Sequence, residues 1–121
     1  MSYESQYLNL SHNQIKGRLL PNISNEFLYN AVLDFSSNIF EGPLPVISSN
    51  LTSLNLSKNK FSGLNSFICE TTGVMMHLDI SSNHLSEGIP DCFMNWQELK
   101  FLNLAHNNLS GEIPRSMGSL T

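Results

Sequence analysis

Four histidines, two cysteines and ten carboxylates are the side chains of this chain able to hold a metal, move a proton or form a covalent bond. Their spacing builds no catalytic set. Cys69 and Cys92 lie 23 positions apart with no further ligands at zinc spacing. For this pair a disulfide and two buried free thiols both stay open. No phosphate-cradling glycine loop, HExxH helix or activated serine motif occurs. Asp34 and Asp79 sit in similar local wording, but paired carboxylates hydrolyse glycosides only across a shared pocket. The asparagines carry more information. Asn9, Asn22, Asn50, Asn55 and Asn108 each begin an Asn-x-Ser/Thr sequon, a glycan acceptor in a secreted chain.

The elements that position these groups come from a repeat. Residues 99–114 read LKFLNLAHNNLSGEIP, and four looser copies precede them. The copies align on Asn13, Asn38, Asn59, Asn83 and Asn107, at intervals of 25, 21, 24 and 24. Each carries an apolar-x-apolar pair before its asparagine: Leu8/Leu10, Leu33/Phe35, Leu54/Leu56, Leu78/Ile80 and Leu102/Leu104. Alternation of period two predicts a short strand with these residues inward. One such unit cannot bury its own apolar face, whereas stacked neighbours can. The strands are therefore expected near 7–11, 32–36, 53–57, 77–81 and 101–105, paired in parallel. Leu109 and Ile113 of the last copy are expected inward as well.

The aligned asparagines fall where the chain leaves each strand. An amide offers two donors and one acceptor, so it can satisfy turn backbone that would otherwise be buried unpaired. Successive copies predict a ladder of asparagines. Gly17, Gly42, Gly63 and Gly111 suit turns needing positive φ or close backbone approach. In the fourth copy Glu87 takes the glycine place and Gly88 is displaced by one. Either Glu87 tolerates the turn or the turn shifts.

Outward positions form three rows across the strands. The first row is Asn9, Asp34, Asn55, Asp79 and Asn103, regular enough to be framework. The second is Tyr7, Val32, Ser53, His77 and Phe101. The third is His12, Ser37, Lys58, Ser82 and His106. The last two rows vary in chemistry, as contact positions on a fixed scaffold do. Tyr7, His12, Lys58, His77, Asp79, Phe101 and His106 are the candidate ligand contacts, with the aromatics as anchors. His12 and His106 are four strands apart, roughly 19 Å by strand spacing, and cannot share a metal or proton. Trp96 is expected to fill core rather than bind a ligand.

The wording LxxLxLSxNxLSGxIP resembles the plant-type extracellular leucine-rich repeat. That repeat occurs in plant receptor-like proteins, receptor kinases and secreted inhibitors of cell-wall polygalacturonases. The Gly-x-Ile-Pro element stands as Gly111-Glu112-Ile113-Pro114 and Gly42-Pro43-Leu44-Pro45. It carries an extra residue at Gly17-Arg18-Leu19-Leu20-Pro21 and is missing after Gly63. The stretch from Cys92 to Thr121 is similar to the C-terminal repeats of large plant receptor-like proteins, immune receptors among them. The resemblance implies an α/β-type repeat solenoid. In it a parallel sheet lines the concave side, a short second strand follows the Gly-x-Ile-Pro element, and irregular or 3₁₀ turns form the convex side.

The same resemblance implies a Cys69–Cys92 disulfide in an extracellular setting. It implies binding rather than catalysis, and no cofactor. The partners would be a peptide, a protein or a cell-wall-derived ligand, with a co-receptor or partner kinase signalling for the full-length protein at the outer face of the plasma membrane. A polygalacturonase-inhibitor-like protein and a truncated product without function of its own are the alternatives. Residues 1–121 are expected to be a fragment of five repeats without complete caps. Composition fits this reading. Net charge is −4 with no basic patch for nucleic acid, and no run approaches the ~18 apolar residues of a membrane span. No secretory signal precedes the first strand pattern.

Overall fold

The computed structural model describes residues 6–19, 31–44, 51–64, 75–92 and 96–115. Its strands, in chain order, are β1 (Tyr7–Asn9), β2 (Lys16–Arg18), β3 (Ala31–Asp34), β4 (Ile39–Pro43), β5 (Leu51–Asn55), β6 (Lys60–Gly63), β7 (His77–Asp79) and β8 (Phe101–Asn103). The repeats stack as leucine-rich-repeat coils do. One five-stranded sheet runs β1-β3-β5-β7-β8 and one three-stranded sheet runs β2-β4-β6. Every pairing is parallel. The aligned pairs fall in one register: Leu8 faces Leu33, Leu33 faces Leu54, Leu54 faces Leu78, and Leu78 faces Leu102.

The period-two pattern sets which side is buried. Leu33, Phe35, Leu54, Leu56, Leu78 and Ile80 are core residues, joined by Leu51, Phe61, Leu64, Leu85, Trp96 and Leu99. Leu8, Leu10, Leu102 and Leu104 are half-buried against that core, because among the described residues β1 and β8 each have a neighbour on one side only. Ile113 departs from expectation: it is 77% exposed rather than inward. Its equivalent Ile89 packs against the core, whereas β8 is the sheet's last strand, so no described repeat covers Ile113.

The asparagines stitch the coils together. Asn38 Nδ2 donates to Phe35 O and Ser36 O in its own repeat and to Leu10 O in the preceding one. Its Oδ1 accepts from Ile15 N, again in the preceding repeat. Asn59, Asn83 and Asn107 repeat this pattern on Phe40 N, Phe61 N and Leu85 N. Asn13 is exposed and, among the described residues, bonds Leu10 O and Ser11 O of its own repeat. Asn38, Asn59, Asn83 and Asn107 thus divide their donors between two repeats and give their acceptor to the preceding one, replacing water for backbone groups that the stack buries.

This ladder explains a correction. Among the described residues the second strand begins one to three residues after the asparagine and contains the glycine, so it precedes the end of the Gly-x-Ile-Pro element. The Oδ1 of the next repeat's asparagine holds the N–H two positions beyond the preceding asparagine. That bond pins the segment in extended form before the glycine is reached. In the last two repeats the second sheet shrinks to one bridge, Gly88 to Ser110. Gly17, Gly42 and Gly111 have positive φ. Gly63 does not; a Cβ there would lie 3.0 Å from Pro43 Cβ, so close approach is its reason. Neither Glu87 nor Gly88 takes positive φ, so that repeat makes its turn without the left-handed residue of the first, second and fifth.

A further ladder of backbone bonds extends past the strands. His12, Ser37, Lys58 and Ser82 donate their N–H groups to Ser36 O, Ser57 O, Ser81 O and Ala105 O. These residues and His106 all sit in the left-handed region, at φ 54–57°. A side chain branched at Cβ is a steric outlier in that region. Ser37→Val is therefore expected to cost about 1–2 kcal/mol in urea unfolding, with Ser37→Gly near neutral.

Candidate functional site

The outward face of the five-stranded sheet is built in the three rows that the sequence defines. In the second row the strand register places Tyr7 beside Val32, Val32 beside Ser53, Ser53 beside His77, and His77 beside Phe101. Tyr7 is 67% exposed and Phe101 is 48% exposed, two of the three large apolar side chains the described surface leaves in solvent. The rings of His77 and Phe101 lie 6.2 Å apart between centroids, tilted by 32°.

The first row builds turns. The Oδ1 atoms of Asn9, Asp34, Asn55, Asp79 and Asn103 accept from the backbone N–H two residues on, at 2.9–3.0 Å. Asp34, Asn55 and Asp79 also accept the hydroxyl of Ser36, Ser57 and Ser81 at 2.6–2.7 Å. Such Asx turns let the chain bend at a strand end while satisfying its backbone. Asp79, a candidate contact, therefore commits one carboxylate oxygen to its own turn.

The third row needs a different reading from the sequence. His12, Lys58 and His106 occupy the left-handed positions described above, so backbone geometry selects these sites before any ligand does. None of the five residues in that row is β-branched. Lys58 and His106 are exposed all the same, as is His12.

One shallow, open concavity of about 250 Å³ lies on this face, lined by Ser53, Leu54, Asn55, His77, Asp79 and Phe101. It unites His77, Asp79 and Phe101 of the candidate contacts. Tyr7, His12, Lys58 and His106 stand outside it. Ser53, Leu54 and Asn55 complete the lining; none of the three is among the candidate contacts.

The remaining candidates are dispersed. Asn9 and Asn108 are exposed, and Asn55 is half-buried at the concavity. Asn22 and Asn50 lie outside the described residues. Cys92 is disulfide-bonded; Cys69, the chain's other cysteine, lies outside the described residues. Trp96 is 3% exposed, within the core. Among the described residues no group of histidines, cysteines and acids is placed to hold a metal ion, and no helix is long and apolar enough to cross a membrane.

Comparison with known proteins agrees with this construction. Residues 49–109 match a family model described as leucine rich repeat, and residues 6–25 match a second of the same description. The receptor-like protein EIX2 of Solanum lycopersicum is 46% identical over 101 residues, 83% of this chain and 10% of that protein. Receptor-like protein 32 of Arabidopsis thaliana is 36% identical over 126 residues, 91% of this chain and 14% of that protein. The serine/threonine-protein kinase BRI1-like 1 of Arabidopsis thaliana is 35% identical over 116 residues, 77% of this chain and 10% of that protein. The chain thus spans 10–14% of the length of these relatives. Its stacked parallel strands, its asparagine ladder and these matches place it in the leucine-rich-repeat family, in the form carried by plant receptor-like proteins.

Proposed function

We propose that this chain forms part of the ligand-binding surface of a plant receptor-like protein, acting in defence or developmental signalling at the outer face of the plasma membrane. The ligand is a peptide or protein that lies across the outward face of the five-stranded sheet. Signalling passes to a partner kinase or co-receptor. The observation that carries this reading is the concavity whose walls include an exposed Phe101 and His77 on adjacent strands. Everything around it is committed to structure: leucines to the core, asparagines to the ladder, the first row to turns. The second row has no such duty, and an aromatic side chain kept in solvent beside a concavity is the usual anchor of a protein contact.

The test is recovery of partners from plant membranes on the immobilised chain. Phe101→Ala is expected to lower recovery of any specific partner about tenfold, and His77→Ala by less. Equal recovery by the parent and both variants sinks the assignment. Specific recovery of a secreted polygalacturonase instead of a membrane protein favours the inhibitor reading.

A further inference from the structure

The first row makes the same turn five times with two kinds of residue. Asn55 accepts from Ser57 N at 3.0 Å and from the Ser57 hydroxyl at 2.7 Å. Asp79 accepts from Ser81 N at 3.0 Å and from the Ser81 hydroxyl at 2.6 Å. Asp34 does the same with Ser36, at 3.0 and 2.6 Å. Only Oδ1 takes part in each case. Asparagine therefore supplies everything the turn uses, and the negative charge at Asp34 and Asp79 is surplus to the fold.

That surplus charge lies where it can meet a ligand. Asp79 lines the concavity together with His77 and Phe101. Asp34 sits two strands away in the same row, beside Asn55. The ten outward positions of the first two rows hold these two carboxylates and no lysine or arginine. Lys58 stands in the adjoining row, Lys100 immediately precedes Phe101, Arg115 lies beyond the last strand, and Lys16, Arg18 and Lys60 belong to the other sheet. The two rows that carry the exposed aromatics thus bear carboxylates and no lysine or arginine.

We infer that the concave site selects a basic peptide segment: an arginine or lysine side chain lies against the Phe101 ring and donates to the Asp79 carboxylate, with Asp34 receiving a second basic residue along the row. This rests on the binding reading above and narrows it to a cationic peptide, which sets aside polyanionic pectic fragments. A cation over an aromatic face and a carboxylate at its rim recognise the same side chain through two different terms, and neither suits an acidic ligand.

Three fluorescent decapeptides differing only at two positions (arginine, glutamine or glutamate) test this on the 121-residue chain by anisotropy, with oligogalacturonate as a fourth probe. The arginine peptide is expected to bind about tenfold more tightly than the glutamine peptide, with glutamate and oligogalacturonate weaker still. Asp79→Asn retains the turn acceptor, so its circular dichroism and melting should match the parent. It is expected to abolish most of the arginine preference, read as the ratio of the arginine peptide's affinity to the glutamine peptide's. Phe101→Ala should weaken both peptides. Equal binding of arginine and glutamine peptides, both weakened by Phe101→Ala, overturns the charge selection and leaves the concave reading standing. Binding insensitive to Phe101→Ala, tighter binding of oligogalacturonate, or no binding of any peptide at millimolar concentration overturns the inference; the first and last of these overturn the concave reading as well.

Discussion

Asn59→Asp is expected to lower stability by about 3–5 kcal/mol at neutral pH, measured as the shift in urea unfolding. The side chain is 6% exposed and changes by a single group, yet it holds two repeats together. Nδ2 donates to Phe35 O at 3.0 Å, Ser57 O at 3.1 Å and Leu56 O at 3.2 Å. An ionised aspartate has no proton to offer and points a charged oxygen at three carbonyls. The bond from Phe40 N to Oδ1, at 3.0 Å, survives the change and cannot offset them. Asn59→Ala loses that bond too, but it buries no charge, so a cost of about 2–4 kcal/mol is expected. Asn13→Asp is the control. It occupies the same place in the sequence repeat but is exposed, and its bonds among the described residues stay within its own repeat, so the loss should stay below about 1 kcal/mol. Similar costs at both positions would show that the ladder's value lies within each turn rather than between repeats.

Phe61→Ala should cost about 3–5 kcal/mol by the same measurement. Phe61 is fully buried and stacks on Phe40 at 6.2 Å with an interplanar angle of 17°. Phe40 in turn meets Phe35 at 5.9 Å. These three rings fill the interior across the second and third repeats, where other repeats use leucine or isoleucine. Removing the middle repeat's ring leaves a cavity that neighbours fixed by two sheets cannot close. Phe61→Leu, which matches the leucine of the fourth and fifth repeats, should cost under about 2 kcal/mol. Ile113→Ala, at an exposed site, should change stability by less than about 0.5 kcal/mol.

The strands, their parallel pairing and the inward leucines were legible in the sequence because they depend on period two and on a repeat of fixed length. The same is true of Asn38, Asn59, Asn83 and Asn107, whose role follows from what an amide can donate and accept. Other features depend on contacts that a repeat does not spell out. The second strand starts early where an Oδ1 from the next repeat pins it, a bond between residues some 22 positions apart, as with Phe61 and Asn83. The left-handed row is invisible to a polar-versus-apolar reading, since His12, Ser37 and Lys58 differ in chemistry and share only a backbone angle. Ile113 reads as core from its motif, but its exposure depends on what stacks beyond β8. At the site, the sequence supplied the rows that meet at the concavity. It did not show that Asp79 divides its carboxylate between a turn and the open face, because that division is set by the hydroxyl of Ser81.

The account separates a scaffold, made of leucines, asparagines and turn residues, from a recognition surface made of what those residues leave free. The most direct test joins two readouts on one variant, the melting temperature of Phe101→Ala and its recovery of partners from plant membranes. The account predicts a melting temperature within about 2 °C of the parent and a loss of recovery of about tenfold. Recovery equal to the parent, or a loss that only accompanies unfolding, would contradict it.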